Sequence, residues 1–106
     1  MEPKSDMSVR KLVVFDLTSA DTDLFESYER KVLPILNKYK AELELSVRSE
    51  DGATETHVLY FPNAMSFEAF MSDTSRAALK DELKRTRVKS TITDVKLVDY
   101  LNTLVL

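Results

Sequence analysis

The order in which the hydrophobic pattern changes along this 106-residue chain constrains its fold more than any other feature. Residues 9–17 form a short run of apolar, β-branched and aromatic side chains, which predicts a strand covered on both faces. Apolar residues then recur at three- and four-residue steps, which predicts a helix that runs to about Lys38. This stripe comprises Phe25, Tyr28, Val32, Ile35, Leu36 and Tyr39, and the opposite, polar face carries Glu26, Glu29, Arg30 and Lys38.

Two local signals refine this helix. Residues 19–23, Ser-Ala-Asp-Thr-Asp, supply several possible N-caps, and Asp23 and Glu26 have the spacing of a capping box, in which side chains satisfy the free backbone donors at a helix start. Pro34 removes one backbone donor and predicts a kink. Because the apolar stripe continues beyond Pro34, we expect one helix rather than two.

The next segment predicts a strand and a tight turn. Leu43, Leu45 and Val47 alternate with polar residues, which is typical of a half-buried strand with one wet face. Residues 49–53 then contain Gly52, the only glycine of the chain, and predict a hairpin turn in which a positive φ is needed.

The last third of the sequence predicts a strand, a helical region and a further strand. Residues 54–61 form the third strand, and Asn63 or Ser66 is expected to cap a short helix after it. A second helical piece runs to about Arg85. The final strand is expected to include Ile92, Val95, Leu97 and Val98.

Two strand–helix–strand units joined by a hairpin predict an α+β, ferredoxin-like βαββαβ domain, with a four-stranded antiparallel sheet and its helices on one face. We expect this single domain at residues 9–106, after a flexible leader at residues 1–8. The apolar tail at residues 101–106 and the sheet face without helices should both avoid water. Packing against a second copy explains both and predicts a homodimer; the alternative is a monomer that folds the tail onto its own core.

Composition and charge exclude several classes of function. The absence of cysteine excludes disulfides, thiolate nucleophiles and Cys-based zinc sites, and a single glycine leaves no material for a Gly-rich phosphate loop. A net charge of −3 and basic residues that are interspersed with acidic ones predict no nucleic-acid partner. No apolar run is long enough to span a membrane, and no secretory signal follows Met1, so we expect a cytoplasmic protein with no membrane partner.

Several segments together resemble a known superfamily. They are the opening strand at residues 11–17, Tyr28 and residues 32–34 with 39–41 in the first helical region, Arg48, the run Val58-Leu59-Tyr60-Phe61-Pro62, and Ala64, Phe67, Phe70 and Ser72. Over residues 9–100 this pattern is similar to the dimeric α/β-barrel superfamily, near uncharacterised small barrel proteins and antibiotic-biosynthesis monooxygenases.

The resemblance implies two sheets that face each other across a dimer, with helices outside and a small-molecule pocket between each sheet and its helices. The superfamily that the chain resembles includes cofactor-free monooxygenases, lactone isomerases, haem-degrading enzymes and accessory proteins of pigment or polyketide pathways. The chain has no tryptophan and one histidine, so the Asn/Trp/His set of the haem-degrading branch is incomplete, and we expect no cofactor. Lys40-Ala41 replaces a Gly-Gly that often follows the first helix in the uncharacterised branch, so the resemblance does not extend to the tight turn at this position.

His57 is the candidate catalytic residue, because histidine is the side chain best suited to act as a general base near neutral pH. The alternative is a structural histidine in mid-strand. Tyr28, Tyr39 and Tyr60 are candidate ligand-binding residues, since each combines an apolar ring with a polar tip, although packing also explains the two on the helix stripe. His57 with nearby acidic residues lacks metal-ligand spacing, so we expect no metal site.

Three further residues have a candidate role. Arg48 can pair with a ligand carboxylate or enolate, or else form a surface pair with Glu44 or Glu50. Asp16 is a candidate acid or base if it is buried, and an ordinary strand-end residue if it meets water. Phe70, in the segment that carries the resemblance, completes the predicted ligand-binding set.

The sequence thus predicts a protein that binds a hydrophobic, partly aromatic small molecule. Under this hypothesis the protein is either a cofactor-independent enzyme of monooxygenase or isomerase type, or an accessory protein of secondary-metabolite biosynthesis. The alternative is a non-catalytic dimerisation module.

Overall fold

The computed structural model describes residues 7–98, so most of the predicted leader and the tail at residues 101–106 lie outside the described part. Its elements in chain order are β1 (Val9–Asp16), α1 (Thr22–Val32), a 3₁₀ helix (Leu33–Tyr39), β2 (Glu42–Arg48), β3 (Thr54–Phe61), α2 (Ala64–Met71), α3 (Thr74–Ala77), α4 (Lys80–Thr86) and β4 (Lys89–Val95). None of these helices is long and apolar enough to cross a bilayer.

The four strands form one antiparallel sheet in the order β2-β3-β1-β4, so β1 and β3 are central and β2 and β4 are edges. Side chains alternate between the two faces of a strand, and residues paired across strands share a face. The helices cover the face that carries Val13 and Leu59. The predicted ferredoxin-like α+β fold is therefore confirmed. The buried core comprises Tyr28, Val32, Ile35, Leu36, Ala41, Leu59, Phe61 and Phe70.

The first helix agrees with the prediction at its start and differs from it at its end. Its N-cap is Asp21, one of the candidates in residues 19–23; its carboxylate accepts a hydrogen bond from the Leu24 amide at 3.1 Å, so the capping-box spacing at Asp23 does not mark the cap. The α-helix ends at Val32, and the chain continues as a 3₁₀ helix with Pro34 in its first turn. The single kinked helix is therefore a correction: proline cannot donate to the turn before it, but the tighter helix still buries the next apolar residues.

The turn after the 3₁₀ helix forms without glycine. Lys40 adopts a left-handed conformation with φ 57°, and the Ala41 amide donates to the Leu36 carbonyl at 3.1 Å. A side chain in this conformation costs about 1 kcal/mol. The hairpin at residues 49–53 avoids such a cost, because Gly52 supplies the positive φ of 76° there.

A bulge in β2 changes which face its apolar residues occupy. Leu43 pairs with Leu59, whereas Leu45 pairs with Val58, the next residue along β3. Leu43 therefore lies on the helix side, and Leu45 and Val47 lie on the opposite face. The prediction of one apolar and one wet face is wrong here, because the bulge interrupts the regular alternation of side chains between the two faces.

The second helical region is confirmed in outline and divided in detail. Asn63 caps α2 as predicted, accepting from the Ser66 amide at 2.8 Å. The helical piece beyond it consists of two short helices, α3 and α4. The last strand ends at Val95, so Leu97 and Val98 lie outside it and are exposed, which corrects the predicted strand.

The sheet face without helices is partly apolar and partly open. Leu12, Val14 and Val58 lie at its centre, half-buried. Leu45 and Val47, on the edge strand, are 49% and 50% exposed. An apolar band therefore crosses this face of the sheet.

The Asp21 cap generates the first prediction. Asp21→Ala removes the acceptor for the Leu24 amide and should lower the free energy of unfolding by about 1 kcal/mol, measured by urea denaturation. The control is Asp23→Ala, which loses only a favourable helix-dipole interaction and should cost less than about 0.5 kcal/mol. Equal losses in the two variants would contradict the observed cap.

Candidate functional site

A cavity of about 180 Å³ lies between the sheet and the helices. Most of its wall is apolar or aromatic. It is lined by Val13, Phe15, Tyr28, Glu29, Val32, Leu33, His57, Leu59, Phe67, Phe70, Met71, Arg76, Leu83, Ser90 and Ile92. Ile92 on edge strand β4 faces this space and is 51% exposed, because the short helices leave this side of the sheet open.

Glu29 is the least expected group in the wall. The sequence placed it on the polar face of the helix, but it is only 8% exposed. It lies four residues after Phe25 and three before Val32, both in the core, so it belongs to the buried arc of α1. Helical spacing was thus the signal that could have identified it.

The Glu29 carboxyl has no hydrogen-bond or ion-pair partner within residues 7–98. No fully enclosed polar side-chain atom in that range lacks a partner, so the Glu29 carboxyl is not fully enclosed, and Glu29 lines the cavity. Burial, with the nearby charge of Glu55 as a second cause, raises the pKa of Glu29 to about 7. The group is therefore poised to give or take a proton near neutral pH.

His57 lies on the opposite wall at the centre of β3 and is 2% exposed. Its Nε2 is 2.8 Å from Oε2 of Glu55, and its ring packs edge-on against Phe15 with centroids 4.9 Å apart. Glu55 is in turn held by Arg48, whose Nε donates to Oε1 at 2.9 Å. The imidazole therefore has a fixed orientation.

Tyr28 and Arg76 add two polar groups to the wall. Burial raises the pKa of the Tyr28 phenol, against the opposing effect of the Arg76 charge. The Arg76 guanidinium lies 5.3 Å from the centroid of the Phe70 ring, and its Nη1 donates to the Met71 carbonyl at 3.2 Å. An apolar space thus meets an acid, an imidazole, a phenol and a guanidinium.

The structure brings three of the six predicted site residues to this cavity, Tyr28, His57 and Phe70. The other three lie elsewhere. The Tyr39 hydroxyl donates to the Asp73 carboxylate, and Tyr60 lies on the opposite sheet face with the Arg10 guanidinium 5.3 Å from its ring.

Arg48 does not line the cavity, but it contacts the site through Glu55. Its partners are Glu55 and Glu26, not the expected Glu44 or Glu50; Glu44 pairs with Arg10. Bulged β2 turns Arg48 to the helix side and Glu44 to the other, which explains the correction.

Of the two alternatives for Asp16, the structure shows the ordinary strand-end residue. It is exposed, and hydrogen bonds from Thr18 lower the pKa of its carboxyl. Arg76 was not foreseen, because it follows the Asp73 cap of a four-residue helix that has no apolar stripe.

A second, open cleft lies on the helix side between Lys31, Pro34, Ile35, Lys38, Ser75 and Leu79. Its charged groups are already paired, Lys31 with Glu82 and Lys38 with Asp73. Across residues 7–98, no three side chains of metal-binding type come together. The chemistry of the described region is therefore concentrated in the first cavity.

Comparison with known proteins gives matches of structure only, since neither a protein-family profile nor a curated protein matches the sequence. SnoaB, a cofactor-independent oxygenase from Streptomyces nogalater, superposes with a TM-score of 0.72 at 12% identity, over 87% of this chain and 94% of that one. A protein of unknown function from Bacteroides thetaiotaomicron superposes with a TM-score of 0.67 at 9% identity, over 88% of this chain and 100% of that one.

A NIPSNAP-family protein from Agrobacterium tumefaciens gives a TM-score of 0.60 at 13% identity, over 86% of this chain and 91% of that one. The chain shares its α+β, ferredoxin-like fold with these proteins. The resemblance inferred from its sequence is confirmed at that level. The cavity described above lies between sheet and helices, where the resemblance implied a pocket.

The buried Glu29 generates a prediction about pH. Its raised pKa means that the folded protein binds more protons than the unfolded chain between pH 4.5 and about 7, so stability falls as pH rises through this range. Glu29→Gln removes this dependence. The difference in the free energy of unfolding between the variant and wild type, measured by urea denaturation, should shift by about 3 kcal/mol in favour of the variant from pH 4 to pH 8.

The matched control is Glu68→Gln, at an exposed position on α2. Its stability relative to wild type should change by less than about 0.5 kcal/mol over the same range. A Glu29→Gln curve that runs parallel to that of wild type would show that the carboxyl is not desolvated.

Proposed function

We propose that this chain binds a small hydrophobic, partly aromatic molecule in the cavity and acts on it by proton transfer, without a cofactor. The observation that carries the proposal is an unpaired, buried carboxyl, Glu29, that lines the same largely apolar cavity as His57. Such a site excludes water from the ligand and positions it against groups that exchange protons.

The arrangement suits removal of a proton from an acidic C–H or O–H group. Aromatic and aliphatic side chains such as Phe67, Phe70 and Ile92 provide the binding surface. Glu29 and His57 are the proton acceptors, and the Arg76 cation stabilises the anion that forms. Tyr28 contributes a hydrogen-bond donor to the same anion.

Proton removal of this kind begins both oxygenase and isomerase reactions of such substrates. SnoaB, which shares the fold, is a cofactor-independent oxygenase, and this supports an activity of the same broad class here. A cytoplasmic role in secondary-metabolite biosynthesis is part of the proposal. An accessory protein that only binds the metabolite would use the same cavity.

The proposal includes a homodimer formed through the sheet faces. The apolar band on the face without helices supports it, because Leu45 and Val47 are half-exposed in one chain. The same band favours the alternative function, a non-catalytic dimerisation module. The polar groups in the cavity favour the binding function, since a module for assembly alone has no use for a desolvated acid.

The cavity is tested with 2-naphthol as the probe, whose binding is followed by chemical-shift changes in amide NMR spectra. Met71 lines the cavity, and Met71→Trp should fill it and weaken binding by at least about tenfold. Met65→Trp is the control, because Met65 lies on the same helix, is exposed and does not line the cavity. Equal affinities in the two variants would place the ligand elsewhere.

The dimer is tested by sedimentation velocity at micromolar concentration. Leu45→Glu places a charge in the apolar band and should convert the dimer to monomer. Leu24→Glu is the matched control, since Leu24 on α1 is 44% exposed, close to the 49% of Leu45. A monomeric wild-type chain, or a Leu45→Glu variant that remains dimeric, would contradict this assembly.

A further inference from the structure

A chain of three side chains, Arg48, Glu55 and His57, runs from the sheet edge to the cavity. Arg48 and Glu55 are paired residues of β2 and β3, so they share the helix-side face. Glu55 and His57 are two residues apart on β3 and point the same way. The register of the sheet, rather than a loop, therefore fixes the order of the three groups.

The two oxygens of Glu55 have different partners. Oε1 accepts from Nε of Arg48 at 2.9 Å and lies 2.8 Å from Nη2, whereas Oε2 lies 2.8 Å from Nε2 of His57. A carboxylate held by a guanidinium is an acceptor only, so the histidine nitrogen opposite it must be the donor. The hydrogen of the neutral imidazole is thereby assigned to Nε2.

The other ring nitrogen is then the basic one. Within residues 7–98, no side chain or backbone group forms a hydrogen bond with Nδ1 of His57. No fully enclosed nitrogen in that range lacks a partner, so Nδ1 is not fully enclosed, and His57 lines the cavity.

We propose that Arg48 and Glu55 are positioning residues that fix His57 as the Nε2–H tautomer and present Nδ1 as the proton acceptor for a molecule bound in the cavity. This rests on the proposed function and deepens it by naming the atom of His57 that accepts the proton. In the step, the bond between hydrogen and the ligand's carbon or oxygen breaks, its electron pair stays on the ligand, and a new N–H bond forms at Nδ1. The resulting imidazolium is stabilised by the Glu55 carboxylate.

The tautomer can be measured without a ligand, because His57 is the only histidine and its ring nitrogens give the only imidazole signals. Nitrogen-15 NMR at alkaline pH should show the Nε2–H form in about tenfold excess or more, since the acceptor is a charged carboxylate. Predominance of the Nδ1–H form in wild type would overturn the proposal by itself.

Variants test the two positioning residues. Glu55→Gln should reduce the excess toward equal populations, because the amide can also donate to Nε2. Arg48→Met should reduce it too, whereas Arg48→Lys keeps a cation beside Glu55 and should restore most of it. Glu44→Gln is the matched control: it disrupts the comparable pair with Arg10 on the opposite sheet face and should leave the spectrum unchanged.

A Glu55→Gln spectrum identical to that of wild type would also overturn the proposal. The outcome is separable from the proposed function, because 2-naphthol binding is measured independently of the tautomer. Failure of 2-naphthol to bind, with the Nε2–H form intact, would contradict the cavity as a binding site, whereas the tautomer set by Arg48 and Glu55 would still be confirmed.

Discussion

The pairing of β1 with β3 at the centre of the sheet determines where each group of the candidate site lies. Val13 is paired with His57, so both face the helices and line the cavity, and their neighbours along each strand face the other way. A slip of one residue would move His57 to the opposite face and remove it from the cavity. The proposed function and the proposed dimer therefore depend on the same register, because the residues turned away from the helices form the apolar band.

The polar groups of the cavity cost stability, which is typical of functional sites. Glu29 occupies a core position of α1 where an apolar side chain of similar size would stabilise the helix packing. The Arg48–Glu55–His57 unit is different, since each member is satisfied by the next and the sheet register sets their order. The cavity thus combines one unpaired carboxyl with one oriented imidazole.

Local signals in the sequence were sufficient for the fold but not for the site. The hairpin glycine Gly52 and the Asn63 cap act within a few residues, and the structure has both where the sequence predicts them. The bulge in β2 could not be predicted, because it arises from pairing with β3 and is invisible in the alternation around Leu45. The charge of Glu29 suggests a polar position, although its helical spacing from Phe25 and Val32 belongs to the buried arc, and the position of Arg76 depends on how short helices pack.

The central claim is that a desolvated acid faces an apolar cavity in this fold. Carbon-13 NMR of the glutamate side-chain carboxyls, followed as a function of pH, tests it most directly. The Glu29 carboxyl should titrate with a pKa of about 7, and this signal should be lost in Glu29→Gln. Titration of Glu29 near the ordinary value of 4.5 would contradict the account.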